Sequence, residues 1–177
     1  LETQNEYFRL LTSDYELNQS WLFDRNLEDM LISRLFSEVE GTLNVENIPT
    51  THRHIEMVSR SENLTEKNDI IVKNMLNAIN FIISEKPAFN KDNLRILYNI
   101  LSKDCLPDEL KLKDNAYYRD DKVYIGDFEG APIDSISGCM DSLFAFANDE
   151  SCIQKYRYLL PYICHYYILY IHPKEVP

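Results

Sequence analysis

The stretch "TEKNDIIVKNMLNAINFIISEK", residues 65–86, decides what kind of protein this is. Ile70, Ile71, Met75, Ile79 and Ile82 recur at three- and four-residue spacing, which places them along one side of an α-helix. Thr65 stands where an N-cap is expected, and Pro87 stops the run.

The same texture extends both ways. "DRNLEDMLISRLFSEVEG" predicts a helix over about 24–41, with Asp24 as cap, an apolar stripe through Leu27, Met30, Leu31, Ile32 and Leu35, and Gly41 as its end. "NVENIPTTHRHIEMVSR" predicts another, with Pro49 near its first turn, and "NKDNLRILYNILSK" a further one capped by Asn90. A helix over residues 1–20 is also expected. "IDSISGCMDSLFAFAND" puts Ile133, Ile136, Met140, Leu143 and Phe144 on one side of a helix. A final helix over 151–171 is interrupted or started by Pro161. Between these lies "NAYYRDDKVYIGDFEGAP", β-rich and holding Gly126 and Gly130, which predicts a short hairpin or extended flap. The expected fold is mainly α with one small β element.

Composition bounds the function. The 177 residues are 45% hydrophobic and 27% charged, as in an ordinary globular chain. A net charge of −11 argues against a broad nucleic-acid or anionic-membrane face. No apolar stretch reaches transmembrane length. Cys105, Cys139, Cys152 and Cys164 form no CxxC pair and read as reduced, mostly buried thiols of a cytoplasmic protein. His52 and His54, two apart on a helix, point to different faces, so no metal site is expected there. With four Gly in the chain there is no Gly-rich phosphate loop. The tyrosines are expected in core and helix packing.

The last helix ends in Ile171-His172-Pro173. Pro173 stops a helix, so His172 is expected at the helix-to-loop junction, partly exposed and able to act as a base near neutral pH. Taken alone, this is a common helix stop. Three stretches together resemble the Fic (filamentation-induced-by-cAMP) family in its form with an N-terminal inhibitory helix. "HYYILYIHP" matches the spacing of the family's catalytic helix through His165 and Ile171-His172-Pro173. Lys174 departs from the family's Phe, and the acidic-Gly-Asn-Gly-Arg continuation does not follow. "YYRDDKVYIGDFEGAPIDSISGCMDSLFAF" resembles its target-binding flap, with Arg119, Val123, Tyr124, Ile125 and Gly126, then Pro132, Met140 and Leu143. "LFSEVEGT" resembles its inhibitory motif at Glu40 and Gly41, although Phe36 occupies the expected Ser/Thr position.

The resemblance implies a Fic-type helical bundle with a β-hairpin flap. Residues 1–60 would be an N-terminal extension bearing the inhibitory helix, and 61–177 the core. It implies a protein adenylyltransferase that uses ATP and Mg²⁺ to transfer AMP to a Ser, Thr or Tyr hydroxyl of a target protein. His172 would be the general base, the flap the target clamp, and Glu40 with Gly41 the inhibitory pair. Glu175 sits one residue early for the magnesium position, so no metal ligand is assigned. The chain reads as cut short before the phosphate-binding loop. A homodimer is compatible with this reading, whereas nucleic acid and membrane are not expected partners. The alternative is a catalytically inactive helical module that binds a peptide at the flap.

Overall fold

The computed structural model describes residues 27–174. The protein is mainly α-helical, with seven α-helices and one two-stranded hairpin among those residues. The helices are α1 (Leu27–Val45), α2 (His52–Arg60), α3 (Lys67–Glu85), α4 (Lys91–Leu101), α5 (Ile133–Asn148), α6 (Glu150–Tyr156) and α7 (Leu160–Ile171). The hairpin pairs β1 (Tyr124–Ile125) with β2 (Phe128–Glu129). None of these helices is long and apolar enough to cross a membrane. The expected helix over 1–20 and the Asp24 cap lie outside the described residues.

The chain divides into two compact units. One contains residues 27–87 and 97–107. Here α1, α2 and α3 pack pairwise around Val39, Leu43, Ile55, Val58, Ile71, Val72 and Cys105. Each such side chain, once buried, contributes about 1.5–3 kcal/mol. Two polar side chains finish the helix ends. The Asn74 amide, buried in this unit, donates to the carbonyls of Leu101 (3.1 Å) and Lys103 (2.7 Å) at the end of α4. Lys73 Nζ donates to Ser59 (2.7 Å) and Ser61 (3.2 Å) at the end of α2, where a cation meets unpaired carbonyls.

The two histidines of α2 face different neighbours, as their spacing requires. His52 Nε2 bonds the Ser33 carbonyl of α1 at 3.0 Å, and His54 Nε2 bonds Asp69 of α3 at 2.7 Å.

Several helix ends differ from the sequence reading. Gly41 does not end α1: the helix runs on to Val45, because Leu43 is buried one turn beyond Val39 and core packing outweighs the glycine. The stop comes at Asn47, in a left-handed conformation (φ +59°), where the Ile48 N–H returns to the Leu43 carbonyl at 2.9 Å. Helix α2 starts after Pro49, with Thr51 as N-cap accepting from the His54 N–H. The residue before α3 is Glu66 rather than Thr65, and its side chain makes no capping bond. Asn90 caps α4 as expected, accepting from the Asn93 N–H at 2.9 Å.

The second unit contains residues 88–96 and 108–174. Its core joins Ala131, Ile136, Met140, Leu143 and Phe144 to Ile171, with Phe89, Leu94, Tyr118, Cys164 and Ile168 packed around them. Phe89 meets Phe144 edge-on at 5.0 Å. Ile133, expected on the inner side of α5, is instead exposed at its first turn. The expected final helix is two. Asp149 caps α6 by accepting from the Cys152 N–H at 2.9 Å, and Pro161 opens α7, where its missing donor costs nothing. All four cysteines are free thiols, but Cys105 alone among them is fully buried and Cys139 is exposed.

Candidate functional site

The site is built where α7 stops. Its last residue, Ile171, is buried, and Pro173 cannot continue the helical bonding. His172 therefore turns into the left-handed region (φ +48°, ψ +63°), with its N–H closing on the Ile168 carbonyl at 2.8 Å. That conformation costs a non-glycine residue about 1 kcal/mol or more and persists only where neighbours hold it.

The holder is Arg119. It is 7% exposed, and its guanidinium spreads over backbone carbonyls from three segments. Nε donates to His172 at 2.7 Å, Nη1 to Asp121 at 2.6 Å, and Nη2 to Ala131 at 2.6 Å and Ile171 at 3.4 Å. The Arg119 backbone N–H adds a bond to the Pro173 carbonyl at 2.9 Å. Ala131 N–H donates to the Ile171 carbonyl at 3.3 Å. The chain entering the hairpin, the chain leaving it and the end of α7 are thus fastened by one planar fork. A cation suits this place, because the last carbonyls of a helix carry its negative pole. Gly130 makes room for the clamp: a Cβ there would lie 3.0 Å from Arg119 Nη2 and 3.4 Å from His172 Cβ.

Gly126 (φ +60°) turns the hairpin, as its permissive backbone allows. Tyr124 pairs with Glu129 and Ile125 with Phe128, and the Gly130 N–H extends the ladder to the Val123 carbonyl at 3.0 Å. Lys122 and Glu129 form an ion pair at 2.8 Å. Tyr124 is 61% exposed and Val123 half-buried. Among the described residues the sheet has two strands, and an outer edge of such a sheet can take an added strand through its backbone donors and acceptors.

Of the residues singled out in the sequence, the structure brings Arg119, Val123, Tyr124, Ile125 and Gly126 into one unit with His172. Arg119 lies beneath the hairpin rather than on its surface. His165 is exposed on α7. Glu40 and Gly41 belong to the other unit, in the middle of α1. Glu40 is half-buried, and Gly41 has open space where a Cβ would go. Phe36 packs against the core of that unit, its ring 5.8 Å from His52.

Three features near the site had no signal in the sequence. Lys174 is buried like an apolar residue, with Nζ donating to the Leu94 carbonyl at 2.9 Å. Burial, reinforced by the Arg95 charge, pulls its ammonium pKa down to about 7. The Tyr118 hydroxyl is buried without a hydrogen-bond partner among the described residues, and desolvation, with the Asp141 carboxylate next, pushes its pKa up to about 12. A cleft of about 530 Å³ opens beside Val123, lined by residues 108–114 together with Arg119, Asp120 and Asp121; His172 is not part of it. No group of three or more His, Cys, Asp or Glu among the described residues could hold a metal ion.

No protein-family model matches the chain, and no curated protein matches it.

Proposed function

We propose that this protein is a Fic-type adenylyltransferase that transfers AMP from ATP to a hydroxyl side chain of a target protein. The observation that carries the reading is the Arg119 clamp, which fastens both feet of the hairpin to the carbonyl of His172. A target segment added as a strand to the hairpin edge would have its register set against the histidine. Positioning of that kind is a large part of catalysis for a transfer between two bound reactants.

In this reading the His172 imidazole takes the proton of the target hydroxyl. The oxygen attacks the α-phosphorus of ATP, the bond from that phosphorus to the bridging oxygen breaks, and pyrophosphate leaves. The described residues do not fit Mg²⁺, having no cluster of ligands for it, and no step is derived through the metal. Glu40 is the proposed inhibitory group. Its carboxylate carries that role, because Gly41 neither ends the helix nor makes space for a neighbour.

The reading is tested with full-length protein and ATP labelled at either the α- or the γ-phosphate. Label on protein from the α-position alone supports AMP transfer. Label from the γ-position points to a kinase. Label from neither, with peptide binding that depends on the hairpin, leaves the non-catalytic binding module as the function.

A further inference from the structure

The cleft of about 530 Å³ beside Val123 lies at the end of β1 away from the Gly126 turn. Its walls combine two kinds of surface. Leu110, Leu112 and Val123 are apolar. Around them stand the carboxylates of Asp108, Glu109, Asp114, Asp120 and Asp121, against the cations of Lys111, Lys113 and Arg119. Those cations are engaged. Lys111 pairs with Asp108 at 2.6 Å, Lys113 pairs with Asp120, and the Arg119 guanidinium lies on backbone carbonyls. Glu109, Asp114 and Asp121 make no ion pair among the described residues. An apolar wall under surplus negative charge matches lysine or arginine, whose stem is apolar and whose head is cationic.

The cleft adjoins the hairpin's ladder. Bonding in an antiparallel pair alternates between inward and outward residues. The Val123 carbonyl accepts from Gly130 within the hairpin, so the backbone N–H and C=O of Tyr124 point to the outer edge of β1. A strand added there passes Val123, the residue that the ladder and the cleft share.

We propose that this cleft takes a lysine or arginine side chain of the target segment, so that the protein selects a basic target peptide. The proposal rests on the reading of the hairpin as a target clamp. Charge selects this occupant over the others. Residues 1–26 carry five carboxylates against two arginines, and residues 175–177 add Glu175. A second copy brings a net charge of −11. Each of these carries net negative charge towards a negative wall. No three His, Cys, Asp or Glu among the described residues could hold a metal ion together, so the wall suits a long organic cation rather than a bare ion.

Peptide binding to full-length protein, read by fluorescence anisotropy without ATP, tests the proposal. The probes are short labelled peptides of alternating Thr and Ala with a central Ser, in which Lys, Gln or Glu is placed at each other position in turn. Lys should bind at least about threefold tighter than Gln at one or two positions, and Glu should bind more weakly than Gln there. A preference confined to particular positions marks a built pocket, because the chain's overall negative charge favours Lys at every position alike. Glu109→Gln with Asp114→Asn, both at exposed positions, should bring the Lys-to-Gln ratio at those positions towards one. A Lys preference equal at all positions, or one that survives the double variant, overturns the proposal. So does the absence of any Lys preference, as when Arg9 or Arg25 of the same chain fills the cleft. Failure of every peptide to bind instead overturns the target clamp itself. Position-specific binding without AMP transfer would keep the basic-peptide site and overturn the transferase.

Discussion

Arg119 Nε donates a 2.7 Å hydrogen bond to the carbonyl oxygen of His172, across 53 residues of chain. The same guanidinium holds Asp121 and Ala131, one on each side of the hairpin. Position of the flap and position of the histidine are therefore one structural variable. Replacing Arg119 with Ala would leave several inward-facing carbonyls unpaired and remove the support for a left-handed residue. The expected loss is about 3 kcal/mol in chemical denaturation. Lys should recover little of it, because one ammonium cannot reach diverging acceptors as the planar fork does. Full recovery of stability by Arg119→Lys would show that the charge, not the fork, matters here.

Gly41 lies inside α1 at an ordinary helical conformation, with nothing within 4 Å of a built Cβ. Gly41→Ala should stabilise the protein by about 0.5–1 kcal/mol, read as a rise of a few degrees in Tm. A fall in Tm would mean that the backbone at residue 41 needs glycine after all.

The buried Tyr118 hydroxyl has no hydrogen-bond partner among the described residues. Tyr118→Phe keeps the ring in the core and removes the unpaired oxygen, so stability should stay level or rise by up to about 1 kcal/mol. A loss of more than that in urea denaturation would reveal that the hydroxyl is satisfied in solution, for example by a buried water.

Lys174 links stability to alkaline pH. Its pKa is about 7 in the folded chain against a reference of 10.5. Between those values the unfolded chain binds the extra proton. Stability should therefore rise as pH goes from about 7 towards about 10, by at most about 1.4 kcal/mol per pH unit, and this contribution should be lost as pH falls back to about 7. Lys174→Met should flatten that slope. Equal slopes for wild type and variant between neutral and moderately alkaline pH would contradict the buried, neutral amine.

Much of this architecture could be read locally. The Asn90 cap and the Pro161 start of α7 each depend on side chains within a few residues and fall where the sequence places them, and the hairpin falls within the β-rich stretch that predicts it. The place of His172 at the helix-to-loop junction before Pro173 is legible for the same reason, but its left-handed conformation is not. Gly41 misleads because a local stop signal competes with the burial of Leu43, and burial wins. The Arg119 clamp is beyond local reading, because its acceptors are backbone carbonyls that any residue would offer. Lys174 defeats reading by residue type, since a lysine predicts exposure. The tyrosines of α7 do the reverse, lying in solvent where packing is expected.

The central claim is that His172 removes the proton of the target hydroxyl. The most direct test is the rate of α-label transfer from ATP by full-length protein, wild type against His172→Ala, with matched folding verified by circular dichroism. Loss of a general base predicts a fall of about 10²–10⁴-fold. A His172→Ala rate within about twofold of wild type would remove this histidine from the chemistry and contradict the account.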